Sequence, residues 1–199
     1  MSPARHSRPA ASGGRLSGQA AVEFALSSVL LLLLLLGLID FSRVFYFDTG
    51  IHGAAREGAR HGAWFDTPNR VNPYLDDTDI KSAVDQSLAG VVGVGPSVYA
   101  GTCPATAAPG NAFYNPPYTS AAFPPPNVTN TPYLWICYQN NPGLHLTTPP
   151  GANSLSYRLT DLNVILTMNY GLVTGFMQSQ LGGAVPIVGN VHIEIQGKQ

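Results

Sequence analysis

Hydrophobic and polar positions divide this chain into regimes of different period. From Ala20 to Ile39 the run carries a single charge, Glu23. At about 1.5 Å of rise per residue it spans roughly 30 Å, the hydrocarbon thickness of a bilayer. Leu30 to Leu36 offers no polar face, so the pattern predicts a membrane-spanning helix rather than a core helix. No proline occurs in residues 20–63. Apolar or small residues at Phe41, Val44, Phe45, Ile51, Ala54, Ala55 and Ala59 continue on one stripe, so the helix is expected to run on past the membrane. Gly50, Gly53, Ala54, Gly58 and Gly62 recur at three- and four-residue spacing. Glycine weakens a helix by about 1 kcal/mol relative to alanine, so their number predicts close packing, against the chain's own sheet or a neighbouring helix; a frayed linker is the alternative.

Turn residues Pro68, Asn69, Asn72 and Pro73 break the pattern between Asp66 and Pro73. A second helix is predicted over Asp79–Ala89, with Thr78 or Asp77 as its N-cap and Gly90 after its end. Asp76, Asp77 and Asp79 read as capping and dipole residues, because the spacing and closing glutamate of a calcium loop are missing. Further on the period becomes two. Tyr133–Tyr138 (YLWICY) reads as a strand. Leu162, Val164, Leu166, Met168 and Tyr170 alternate with Asn163, Ile165, Thr167 and Asn169 as a half-buried strand, and Val191, Ile193 and Ile195 alternate with His192, Glu194 and Gln196. A short helix near Phe176–Leu181 is also expected. Helices first and strands later predict an α+β class with a small antiparallel sheet.

Composition alters this picture in one block. From Gln86 through Tyr157 there is no Asp, Glu, Lys or Arg, and residues 103–150 are rich in proline and interleaved aromatics. A solvated disordered linker normally carries charge. A long Pro/aromatic-rich loop laid against the sheet fits better, stapled by Cys103 and Cys137 if these pair; free buried thiols are the other reading. The expected organisation is a disordered leader (1–18), a spanning and extended helix (19–63) and an α+β domain (64–199).

The leader carries Arg5, Arg8 and Arg15 and no acid, which places it in the cytoplasm and residues 40–199 outside it. The basic start also suits a signal peptide, but no small-residue cleavage site follows the apolar run. With a net charge of −1 and scattered basic residues, no nucleic-acid partner is expected. His52, His61, His145 and His192 show no metal-ligand grouping, and no nucleophile-elbow sequence surrounds a serine. Neither an enzyme nor a cofactor is predicted. Glu57 and Arg60, three apart, read as a surface ion pair. Glu23 is the residue that asks for an explanation, because ionisable groups inside a span are costly and tend to mark function.

Its setting supplies one. Gly18, four residues, Glu23, Phe24 and an unbroken apolar helix form the processing pattern of type IV prepilins. The segments GQAAVEFAL, LLLLLGLIDFSRVFY and AAREGARHGA resemble the TadE-like family, the pilin-like proteins of tight-adherence (Flp) pilus systems. The resemblance rests on Gly18, Gln19, Glu23, Phe24, the leucine run, Asp40, Phe41, Arg43 and residues 54–60. It is looser at the C-terminus, where HIEIQGKQ replaces the Arg-Glu close frequent in the family. The resemblance implies cleavage between Gly18 and Gln19 by a membrane prepilin peptidase. It makes Glu23 and Phe24 assembly residues, and the carboxylate would pair with the first amine of a neighbouring subunit. It further implies a single-pass protein of a bacterial inner membrane, with lipid, other pilin-like subunits and pilus assembly proteins as partners, and adhesion as an outcome. A membrane-anchored binding module for a cell-wall polymer or protein is the alternative function.

Overall fold

The computed structural model describes residues 16–91, 93–102, 123, 126–138, 143–151, 161–174 and 182–195. Among these described residues, two helices and four strands follow in chain order: α1 (Leu16–Gly62), α2 (Asp77–Leu88), β1 (Val98–Thr102), β2 (Tyr133–Tyr138), β3 (Asp161–Gly171) and β4 (Ala184–Glu194). The class is α+β. The chain divides into two compact units, Met1–Ile39 and Asp40–Gln199.

In the first unit, α1 contributes a helix on which Val22, Phe24, Val29 and most of the leucines are exposed. Among the described residues, α1 is the one helix long and apolar enough to cross a membrane, with a mean hydropathy of 2.6 in its most apolar stretch.

In the second unit, the expected continuation of α1 past the apolar run is present, and its inward stripe is Phe47, Ile51, Ala54, Ala55 and Ala59. The small positions allow close approach. A side chain at Gly62 would meet Ile80 of α2 and Leu162 of β3, and one at Gly50 would meet Val91; Gly53 faces open space. So the neighbouring helix is the chain's own α2, which contributes Ile80, Val84 and Leu88 to the same core. A reciprocal glycine lies on the sheet. A Cβ at Gly189 of β4 would come within 3.0 Å of the Ile51 carbonyl oxygen and 3.1 Å of the His52 nitrogen. The α1 backbone therefore lies directly against β4 there, which only glycine permits.

The sheet order is β1-β2-β3-β4. β2–β3 and β3–β4 are antiparallel, as expected, but β1 pairs parallel to β2, so the sheet is mixed. Parallel neighbours need a long crossover, and residues 103–132 supply the length. β1 carries no alternation strong enough to mark it in the sequence. β3 also departs from the half-buried expectation, because both its faces are buried and Asn163, Ile165 and Thr167 are each at most 2% exposed. As a central strand it carries Leu162, Val164, Leu166 and Met168 against the helices. On the opposite face, Phe123 packs edge-on against Trp135 of β2, and Asn169 Nδ2 donates to the Pro126 carbonyl at 2.6 Å. β4 begins earlier than the alternation suggested and includes Pro186, which an edge strand tolerates. The rest of the 103–150 block, and the helix expected near Phe176–Leu181 from residue 176 on, lie outside the described residues.

Candidate functional site

The first turns of α1 hold the residues singled out by the sequence. Gly18, Gln19, Glu23 and Phe24 are all exposed and helical, with no proline or glycine between Gln19 and Leu36 to break the ladder. A spacing of four puts Gln19 and Glu23 on one face, and Gln19 Nε2 donates to Glu23 Oε1 at 3.1 Å. Around this pair lie Val22, Phe24 and Leu26, each at least 60% exposed. A lone carboxylate with one neutral amide partner thus sits in an apolar surface, a poor arrangement in lipid unless a cation pairs with it.

Cys137, on the sheet face away from the helices, is buried and disulfide-bonded. Cys103 lies outside the described residues. Glu57 and Arg60 form the expected surface pair, with Arg60 Nη2 donating to Glu57 Oε1 at 2.5 Å.

Two carboxylates hold long-range networks that sequence reasoning missed. The first is at the start of α2. The N-cap is Asp76, not Thr78 or Asp77, and its side chain accepts from the Asp79 N–H at 2.8 Å. The cap falls one residue early because Asp77 is committed elsewhere. Buried at the N-terminus of α2, where the dipole favours an anion, Asp77 accepts from Tyr99 Oη at 2.7 Å and also from Tyr138 Oη. His145 Nδ1 also contacts its Oδ2. A carboxylate only accepts, so His145 Nδ1 carries the proton. The Asp77 N–H donates to the Leu146 carbonyl at 3.0 Å, fastening the same loop. Burial, and then the Asp77 charge and hydrogen bond, push the Tyr138 hydroxyl far above the usual phenol range; Tyr99 is raised by burial and its Asp77 hydrogen bond. Both stay protonated as donors.

Beside this knot, a cleft of about 590 Å³ is lined by Asp77, Lys81, Asp85, Gln86, Tyr99 and His145. Burial alone would raise the Asp85 carboxyl, but hydrogen bonds from Lys81 and from the Ser97 hydroxyl and N–H, with the Lys81 charge, hold it below its ordinary value.

The second network centres on Asp40, the first residue beyond the apolar run. It is fully buried. Its oxygens accept from the Val173 N–H at 3.3 Å and the Thr174 N–H at 3.2 Å, and from the Thr174 hydroxyl. One turn on, Arg43 Nε donates to Tyr170 Oη at 3.0 Å. The sequence signal was an acid beside an apolar segment for Asp40 and one of a cluster of capping acids for Asp77, but the partners of both lie far along the chain.

Residues 18–60 match the family model described as TadE-like protein, the segment on which the resemblance was read. No curated protein and no solved structure matches the chain.

Proposed function

We propose that this chain, with its TadE-like segment, is a single-pass pilin-like component of a Tad-type pilus or secretion apparatus, contributing to assembly and adhesion. A link to Tad pilus systems follows from the family match, and the apolar α1 fits single-pass anchoring. The observation that carries the finer reading is Glu23, one carboxylate on an otherwise apolar exposed helix start, five residues after Gly18. In this reading the leader is cytoplasmic and residues 40–199 lie across the inner membrane. A prepilin peptidase hydrolyses the Gly18–Gln19 bond, water adding across it to leave a Gly18 carboxylate and a Gln19 amine. The Glu23 side chain, now holding only the Gln19 amide, then accepts the new amine of a neighbouring subunit. Breaking such a pair inside an apolar bundle costs about 3–5 kcal/mol, enough to fix the axial register of one helix against the next. Phe24, exposed beside it, packs in the same contact. The role is structural rather than catalytic, and a Cys103–Cys137 disulfide ties the long insertion to β2.

N-terminal sequencing and intact mass of the protein from native membranes test this. A chain beginning at Gln19 is the expected result, and one beginning at Met1 or Ser2 overturns processing. Glu23→Ala should insert normally yet lose co-purification with other pilin-like subunits; normal piliation in that variant removes the role of Glu23. The second reading, an anchored binding module, draws support from the cleft beside Asp77, where Tyr99, His145, Lys81 and Gln86 offer aromatic and polar groups together.

A further inference from the structure

We propose that the turn at Val173–Thr174, which directly follows β3, rests in the lipid headgroup layer, held at that depth by Asp40. The inference rests on the reading of α1 as a membrane span and is independent of the pilus role. Residues 20–39 match the hydrocarbon thickness, so Asp40 lies at its edge. The headgroup layer adds roughly 5–7 Å on each side, which at about 1.5 Å per residue corresponds to the next three to five residues of α1. Helical structure is unbroken through this level.

Asp40 couples the turn to that depth. Both of its oxygens are occupied by the backbone N–H groups of Val173 and Thr174 and by the Thr174 hydroxyl, at hydrogen-bond range. A fully buried carboxylate held by three donors is a stiff tether, because any displacement strands a desolvated charge. The turn cannot sit more than a few ångströms above the residue that binds it.

The side chains at this level have the chemistry of a lipid boundary. Val173 is 58% exposed, and Phe41 and Phe45 are 69% and 65% exposed. Aromatic side chains concentrate at membrane–water interfaces. Arg43, anchored through Nε on Tyr170, lies between them on α1, exposed and able to donate to a phosphate. Apolar tips with an adjacent guanidinium fit the headgroup and upper acyl region of a phospholipid. A second copy of the chain would cover the same side chains without needing them level with the end of the span.

The full chain, reconstituted in phosphatidylcholine–phosphatidylglycerol vesicles, gives the test. Single Val173→Cys, Val98→Cys and Leu34→Cys variants are labelled with an environment-sensitive fluorophore, without reductant, and quenched by a spin label attached near the phospholipid glycerol. The Val173 and Leu34 labels should be quenched several-fold more than the label at Val98 on β1. Asp40→Ala should lower quenching at position 173 and leave position 34 unchanged. Quenching at 173 equal to that at 98, with 34 quenched, overturns the inference and leaves the span intact. A blue-shifted but unquenched label at 173 overturns it in favour of a protein neighbour. Absence of quenching at 34 refutes the span itself. Unchanged quenching at 173 in a folded Asp40→Ala protein refutes the tether.

Discussion

Tyr138→Phe separates the Asp77 knot from the packing around it. The ring stays in the core, so the change removes one hydroxyl donor and little volume. At pH 8 the variant should lose about 1.5–3 kcal/mol, the usual worth of a hydrogen bond to a charged group; Tyr99 and His145 still serve the carboxylate and hold the loss toward the lower end. The pH dependence is more telling. In the folded protein burial and the Asp77 charge raise the Tyr138 ionisation above its ordinary value of 10.0. The unfolded chain therefore releases this proton first as pH rises. The contribution of Tyr138 to stability is complete below pH 10 and is lost on going upward, by about 1.4 kcal/mol for each pH unit between the two values. The wild type should fall toward the variant between pH 10 and 11, and the two curves should meet near the top of that window. Denaturant unfolding of the full chain in detergent, followed by tryptophan fluorescence from pH 8 to 11, measures both. Absorbance at 295 nm should show one tyrosine fewer titrating late in the variant. Parallel stability curves over the whole range would refute the argument, since they would mean that Tyr138 ionises alike in both states.

Further outcomes follow from other contacts. Gly189→Ala should destabilise the second unit by about 1–3 kcal/mol, because the new Cβ meets the α1 backbone at Ile51 and His52 as well as the Ile51 side chain, and moving that side chain does not relieve the backbone contact. Gly53→Ala, with nothing within 4 Å, should stabilise by up to about 1 kcal/mol; equal effects in thermal unfolding would show that α1 does not lie against β4. Asp85→Asn should flatten the acid limb of stability. The folded carboxyl lies below its ordinary value of 3.8, so its contribution is present above that pH and disappears as pH falls further; an unchanged slope between pH 2 and 5 would refute the Lys81–Ser97 clamp. Asp76→Ala should cost about 1 kcal/mol through the lost cap, whereas Thr78→Ala should have little effect, read from the same unfolding midpoints.

What the sequence could reveal depended on how far apart the interacting residues are. Glu23 could be singled out because its pattern is local: an acid, a glycine five residues before it and an apolar run after it are contiguous. The α1 stripe, β2 and the alternation of β3 were legible for the same reason, as periods survive without knowledge of the partner. β1 was not, because a short edge strand gains its place from parallel pairing to a β2 that lies beyond a long crossover. The half-buried reading of β3 failed on the face of Ile165, where period two tells which residues share a side but not whether that side is covered.

The three acids at the start of α2 show the limit most clearly. Asp76, Asp77 and Asp79 are equivalent by composition, and capping explains any of them. Their roles separate only through what lies opposite. Asp76 finds the N–H of Asp79 three residues on, a local bond within reach of any cap. Asp77 finds two tyrosines and a histidine from β1, β2 and the 143–151 loop, and those contacts move the cap one residue earlier than expected. Asp40 repeats the logic across more than a hundred residues, where an acid at the edge of an apolar run has the ordinary meaning of a boundary. Buried and bonded to Val173 and Thr174, it instead joins α1 to the residues that follow β3. Position in the sequence gives each acid its local environment, while the fold decides which of them receives donors from elsewhere.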